Sequence, residues 1–160
     1  MQSLTELLLF YQNPTEHKPC AFFSLLPRKL QSLTTNLNIV EKTSLLPDSL
    51  TSLRLTDTDP FDASQLDRLP PKLETLEVNI SSSIMTHLPT SLTELRLTSG
   101  EFVNDEMIRM LPKGLKHFSL TSEDDKVTDA GIADLPPCLL SLSLSDNTEM
   151  TDRGISLLPR

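Results

Sequence analysis

The sequence predicts a single α/β domain built as an open solenoid, with about seven parallel strands on a concave side and short helices and turns on a convex side. Two observations lead to this prediction. Leucine fills 32 of the 160 positions, aromatic residues make up only 4% and tryptophan is absent, which indicates a repetitive aliphatic core. In addition, the pattern Leu-Pro-x-x-Leu-x-x-Leu-x-Leu recurs along the chain. The length suits one domain, which we assign to 1–160.

The recurring pattern fixes where the strands should lie. It is complete over 46–55, 88–97 and 135–144, and weaker copies keep the same frame elsewhere. Alternate side chains of a strand point to opposite sides, so the pattern's leucines fill a core while the residues between them face water. One repeat cannot bury its own apolar side, and stacked neighbours supply the missing half. The fifth residue of the pattern recurs at steps of 26, 20, 23, 19, 23 and 24 residues, as Leu4, Leu30, Leu50, Leu73, Leu92, Leu115 and Leu139.

The segments between strands carry helix signals in three copies. Asn104, Thr128 and Thr151 are favourable N-cap residues, and each is followed by an aspartate and by apolar residues at helical spacing. The proline of the next Leu-Pro pair cannot continue a helix, so it ends the segment. The steps of 20 and 19 residues leave little space, and we expect a turn or a 3₁₀ stretch before Leu46 and before Leu88.

A period of 20 to 29 residues with Leu-x-x-Leu-x-Leu strands is the signature of leucine-rich repeats, and the chain resembles that superfamily over its whole length. The phrases Val-Thr-Asp-Ala-Gly-Ile over 127–132 and Met-Thr-Asp-Arg-Gly-Ile over 150–155 are similar to ribonuclease-inhibitor-like, cysteine-containing repeats of F-box proteins. The Leu-Pro-x-x-Leu start resembles repeats of bacterial ubiquitin-ligase effectors and FNIP repeats. The chain departs from each, because it lacks an F-box, a catalytic Cys domain and the Phe-Asn pair of FNIP repeats, so the subfamily stays open.

The resemblance implies a function in protein recognition. We expect a non-catalytic module that binds a protein partner on its concave face, in the cytoplasm, with the substrate-recognition arm of a ubiquitin ligase as its setting. The alternative is a regulatory repeat domain of an enzyme whose catalytic domain lies outside this chain. Neither end carries a polar capping repeat, so we expect a fragment of a longer array, or edge-to-edge self-association if the chain exists alone.

Composition and motifs argue against other classes. A net charge of -8 does not suit a nucleic-acid binder, and the longest apolar run, over 7–11, is far short of the roughly 20 residues that span a bilayer. The four glycines are too far apart for a phosphate-binding loop, so no cofactor is expected. His17 and Cys20 lack the further ligands that zinc needs. We interpret Cys138, at a strand entrance, as a packing thiol, and no residue set indicates a catalytic site.

Three rows of side chains should line the concave face. Counting the pattern's fifth residue as strand position 1, these rows are positions 3, 5 and 7. Arg54, Glu77 and Arg96 fall at position 5 of successive strands, which lie about 4.8 Å apart, and predict a ladder of alternating charge. Glu94 lies beside this ladder, and His117 follows in the next strand. The set is either a mutually neutralising surface ladder or the polar centre of a partner-binding patch.

The first strand adds two apolar residues at positions that should be exposed, Leu8 and Phe10. They indicate either a hydrophobic binding site or a surface covered by something outside this chain. The candidate partner-binding residues are therefore Arg54, Glu77, Arg96, Glu94, His117, Leu8 and Phe10.

Overall fold

The computed structural model describes residues 3–12, 23–37, 40–56, 69–80, 88–99, 103–122, 126–145 and 147–159. Seven strands form one parallel sheet in which strand order follows chain order. The predicted open α/β solenoid with about seven parallel strands is thus confirmed. The strands are β1 (Glu6–Leu9), β2 (Ser32–Thr35), β3 (Ser52–Leu55), β4 (Thr75–Ile80), β5 (Glu94–Ser99), β6 (His117–Ser122) and β7 (Ser141–Leu144).

The strands are aligned so that equivalent positions of the repeat lie opposite one another. A slip of one residue would turn a strand's leucines from the core to water, so the repeated Leu-x-Leu pattern specifies this register. The row at strand position 4 runs through all seven strands as Leu7, Leu33, Leu53, Leu76, Leu95, Phe118 and Leu142.

The return segments contain three helices, α1 (Asp105–Arg109), α2 (Asp129–Ala133) and α3 (Asp152–Ser156), and two 3₁₀ stretches, Phe23–Leu25 and Val40–Leu45. The 3₁₀ stretch expected before Leu46 is therefore confirmed, whereas the segment before Leu88 lies outside the described residues.

The three predicted helix caps are also confirmed. Asn104 Oδ1 accepts a hydrogen bond from the Met107 nitrogen at 3.2 Å. Thr128 Oγ1 accepts one from the Ala130 nitrogen at 3.1 Å, and Thr151 is the equivalent cap of α3. Each cap therefore satisfies one of the backbone donors that a helix start leaves without a partner.

The core lies between the leucine side of the sheet and the return segments. Met107 and Ile108 of α1 and Ile132 of α2 belong to the same buried cluster as the strand leucines. The position 1 leucines of the five inner repeats are fully buried, as Leu30, Leu50, Leu73, Leu92 and Leu115. The opposite side of the sheet carries strand positions 3, 5 and 7, and we call it the open face; it is the concave face of the prediction.

In the described chain, α1 is tied to α2, and α2 to α3, by the aspartate at the first position of the earlier helix. Asp105 accepts hydrogen bonds from the backbone nitrogen and the hydroxyl of Thr128, both at 2.8 Å. Asp129 binds Thr151 in the same way. We call this contact the Asp–Thr latch; it places a carboxylate at the start of the following helix, where negative charge is favourable.

Glycine makes room for the latch. A Cβ atom at Gly131 would collide with the Asp105 carboxylate, and one at Gly154 would collide with the Asp129 carboxylate. The phrase Thr-Asp-x-Gly thus combines a helix cap, a carboxylate that reaches the next repeat, and a gap that receives the carboxylate of the previous repeat.

Hydroxyl groups join the Leu-Pro turns of neighbouring repeats. Ser49 Oγ donates to the carbonyl oxygen of Leu30 at 2.6 Å, and Ser91 Oγ donates to that of Leu73 at 2.7 Å. Both serines occupy variable positions of the pattern, so its leucines gave no indication of this role.

The outer parts of the array bury less than the centre. Leu4 is 52% exposed, although its equivalents in the inner repeats are buried, because β1 and β7 each pair on one side only in the described sheet.

The interpretation of Cys138 as a packing thiol is wrong, since its side chain is exposed. It occupies the turn position of Ser49 and Ser91, outside the core. No helix within the described ranges has the length and apolar character needed to cross a membrane.

Candidate functional site

The open face carries all seven predicted site residues. Arg54, Glu77 and Arg96 lie opposite one another in β3, β4 and β5, as the pattern predicts. Glu94 lies opposite His117 across β5 and β6. The expected placement of the ladder is therefore present, and whether it binds a partner stays a prediction.

The charges of the ladder are paired unevenly. Arg54 Nε lies 3.9 Å from Glu77 Oε2. Both the Nε and an Nη atom of Arg96 contact Glu94 Oε1, at 2.9 and 2.8 Å. Arg96 thus pairs with a glutamate of its own strand rather than with Glu77 across the sheet. Exposed ion pairs of this kind contribute about 0.2 to 1 kcal/mol each, so the ladder has little weight in overall stability.

A depression of about 490 Å³ lies on the open face across β5, β6 and β7. Its polar lining comprises one carboxylate, one guanidinium, one imidazole and three hydroxyl groups. It is lined by Glu94, Leu95, Arg96, His117, Phe118, Ser119, Ser141 and Ser143.

One row of this depression contains the residue types of a nucleophilic triad. Glu94, His117 and Ser141 lie opposite one another in successive strands. A serine nucleophile needs a hydrogen-bonded base that is itself oriented by a third group. Within the part of the chain that the structure describes, the His117 side chain hydrogen-bonds to neither Glu94 nor Ser141. The described row therefore contains the residue types of such a triad without the hydrogen bonds that would join them.

The β1 end of the open face is apolar. Leu8 is 59% exposed and Phe10 is 58% exposed. The backbone just beyond Phe10 is fixed by Asn36, whose Oδ1 accepts from the Tyr11 nitrogen at 2.9 Å and whose Nδ2 donates to the Tyr11 oxygen at 2.8 Å. The repeat pattern does not predict this role for Asn36. The feature that could indicate it is a side-chain amide at the end of a strand, because an amide can donate and accept a hydrogen bond at once.

One ion pair and one hydrogen-bonded carboxylate lie away from the open face, on the helix side of the sheet. Arg109 Nε is 2.7 Å from Asp134 Oδ2, and this hydrogen bond, together with the charge of Asp134, raises the pKa of Arg109 above its ordinary value. Hydrogen bonds from the hydroxyl and then the backbone nitrogen of Thr151 lower the pKa of Asp129. These shifts belong to contacts between repeats rather than to a reactive centre.

No group of three His, Cys, Asp or Glu residues suited to a metal ion occurs in the described ranges. His17 and Cys20 lie outside them.

Comparison with known proteins supports the architecture. No protein-family model matches the sequence, and the comparison with curated proteins gives no match. The structure is similar to the crystal structure of the leucine-rich repeat-containing protein LegL7 from Legionella pneumophila, with a TM-score of 0.52. The fold is that of a leucine-rich repeat. The match has 17% sequence identity and covers 86% of this leucine-rich-repeat chain and 54% of LegL7.

This chain therefore spans about half the length of LegL7. At such low identity the similarity concerns the leucine-rich-repeat fold alone. It confirms the predicted leucine-rich-repeat fold, while the F-box-type, FNIP and effector subfamilies remain predictions.

Proposed function

We propose that this chain is a non-catalytic protein-recognition module that binds its partner on the open face. The observation that carries the proposal is the register of the sheet, which holds charged, imidazole and exposed apolar side chains at fixed spacing on one surface. Residues on strands are positioned more precisely than residues on loops, and solenoids present extended surfaces of this kind to their partners.

The site has two chemically different parts. The centre contains Arg54, Glu77, Glu94 and Arg96 as contacting charge pairs, and the depression with His117 adjoins it. The β1 end exposes apolar side chains. Arginine and aromatic residues contribute most to many protein interfaces, so we expect binding energy to come from both parts.

The biological setting is a second part of the proposal. The Thr-Asp-x-Gly-Ile phrases and the Leu-Pro starts support the substrate-recognition arm of a cytoplasmic ubiquitin ligase. The native transcript tests this setting, because flanking sequence that encodes an F-box would support it. Flanking sequence that encodes a catalytic domain would favour the alternative, a regulatory repeat domain of an enzyme.

Charge reversal tests the open face. Once a partner has been isolated, its affinity is measured for the wild type and for the double variant Arg54→Glu/Arg96→Glu. The matched control is Lys72→Glu/Lys113→Glu, which makes the same change of net charge on exposed turn residues. We expect an affinity loss of about tenfold or more for the first double variant only. Unchanged affinity would remove the charged centre from the binding site.

A further inference from the structure

One carboxylate of the open face has no partner in the described part of the chain. Arg54 contacts Glu77, and Arg96 contacts Glu94. The exposed side chain of Glu6, at position 3 of β1, makes no hydrogen bond or ion pair with any described residue. With both arginines already in contact with glutamates, the uncommitted carboxylate among the described residues of this face is that of Glu6, at its β1 end.

This carboxylate lies beside the exposed apolar residues. Glu6, Leu8 and Phe10 alternate with Leu7 and Leu9, which are partly buried. Same-face residues of a strand are about 7 Å apart, so the three side chains form a stripe about 13 Å long. We call Glu6, Leu8 and Phe10 the β1 stripe.

Hydrogen bonds to the neighbouring repeat hold the backbone of the β1 stripe in place. Glu6 and Leu8 belong to a strand that pairs with β2 along its length. Phe10 lies between that strand and Tyr11, whose backbone nitrogen and oxygen are both bound by Asn36. A partner therefore meets an ordered backbone, which lowers the entropy lost on binding.

We propose that the β1 stripe docks a segment of a partner protein in which a lysine or arginine lies beside two apolar side chains. The basic side chain pairs with Glu6, and the apolar side chains cover Leu8 and Phe10. The net charge of -8 attracts a basic segment over long range and repels an acidic one. This inference deepens the proposed function and rests on it.

A random peptide library displayed on phage tests the inference directly. We expect peptides selected on the folded 160-residue chain to be enriched in one Lys or Arg together with two apolar residues. A selected peptide, made synthetically, should lose about tenfold in affinity for Glu6→Lys and for Leu8→Ser. The matched control is Glu149→Lys, which makes the same charge change at an exposed position near α3, and it should bind nearly as wild type.

Each other outcome overturns the inference. Equal losses for Glu6→Lys and Glu149→Lys would mean that peptides respond only to net charge. Acidic peptides, peptides without the basic and apolar combination, or a failure to select any peptide would likewise contradict it. Peptides that respond to Arg54→Glu/Arg96→Glu but not to the β1 stripe variants would leave the proposed function standing without this inference. Peptides that respond to neither set would contradict both.

Discussion

The carboxylate of Asp129 binds Thr151 twice, accepting from its backbone nitrogen at 2.9 Å and from its hydroxyl at 2.6 Å. The same hydroxyl oxygen accepts from the Arg153 nitrogen at 3.2 Å, so one side chain caps α3 and joins it to α2. Helices of five residues are too short to be stable alone. Contacts between repeats therefore hold the return helices in place.

Substituting Gly131 with alanine should destabilise the fold. The added Cβ would meet the Asp105 carboxylate and force the Asp–Thr latch apart, at a cost of about 1 to 3 kcal/mol in the free energy of unfolding. Urea denaturation measures the effect. Gly114→Ala is the matched control, because a Cβ there meets no atom within 4 Å. Equal midpoints for the two variants would contradict the close contact at Gly131.

The Asp129 latch should weaken in acid. Thr151 lowers the pKa of Asp129 in the folded chain, so the stability from this group is present above its unfolded pKa of about 3.9 and is lost as the pH falls through the lower folded-state pKa. At neutral pH we expect Asp129→Asn to unfold at lower urea than wild type, and the difference to shrink below about pH 4. Denaturation over a pH series measures this.

Asp48→Asn provides the control for that series, because it removes an exposed turn carboxylate. The urea concentration at which this variant unfolds should equal that of the wild type across the pH series. A constant difference between Asp129→Asn and wild type at every pH would show that the latch does not depend on ionised Asp129.

Removing the Ser91 hydroxyl should loosen two neighbouring turns. Ser91→Ala leaves the Leu73 carbonyl oxygen without the hydrogen bond that it accepts at 2.7 Å, and we expect a loss of about 1 kcal/mol in the free energy of unfolding. Ser143→Ala, at an exposed position of β7, should change it by less than about 0.5 kcal/mol. Thermal or urea unfolding distinguishes the two, and equal losses would count against the turn contact.

Leucines of one chain should differ sharply in their effect on stability. Leu95 is fully buried and Leu140 is 75% exposed. Leu95→Ala is expected to cost about 2 to 5 kcal/mol because it leaves a cavity in the core. Leu140→Ala should change the free energy of unfolding by less than about 0.5 kcal/mol. Similar values for both would contradict the assigned strand faces.

Most of the fold can be predicted from the sequence because one short pattern specifies several levels at once. Leucines at Leu53 and Leu55 alternate with Ser52 and Arg54, and this alternation fixes which side of β3 is buried. Repetition of the pattern then aligns the strands. The cap residues locate the helices because their side chains act on backbone atoms only two or three positions away.

The contacts between repeats were less accessible to prediction. Thr151 and Asp129 are separated by 22 residues, and local spacing does not reveal which return segments touch. The spacing also leaves Arg96 with two nearby acids, Glu77 across the sheet and Glu94 along the strand. Rotamer geometry decides between them, and the structure shows Glu94 as the partner.

The Asp–Thr latch has a consequence for how such an array changes length in evolution. A tandem duplication of 128–150 would place a new copy of Thr128 22 residues after Asp129, the separation that now joins Asp129 to Thr151. The duplicated unit also brings its own Gly131 and the whole of β7. Unequal recombination in this part of the gene therefore inserts a repeat that already carries the threonine, the aspartate and the glycine of the latch. No compensating point mutation is needed.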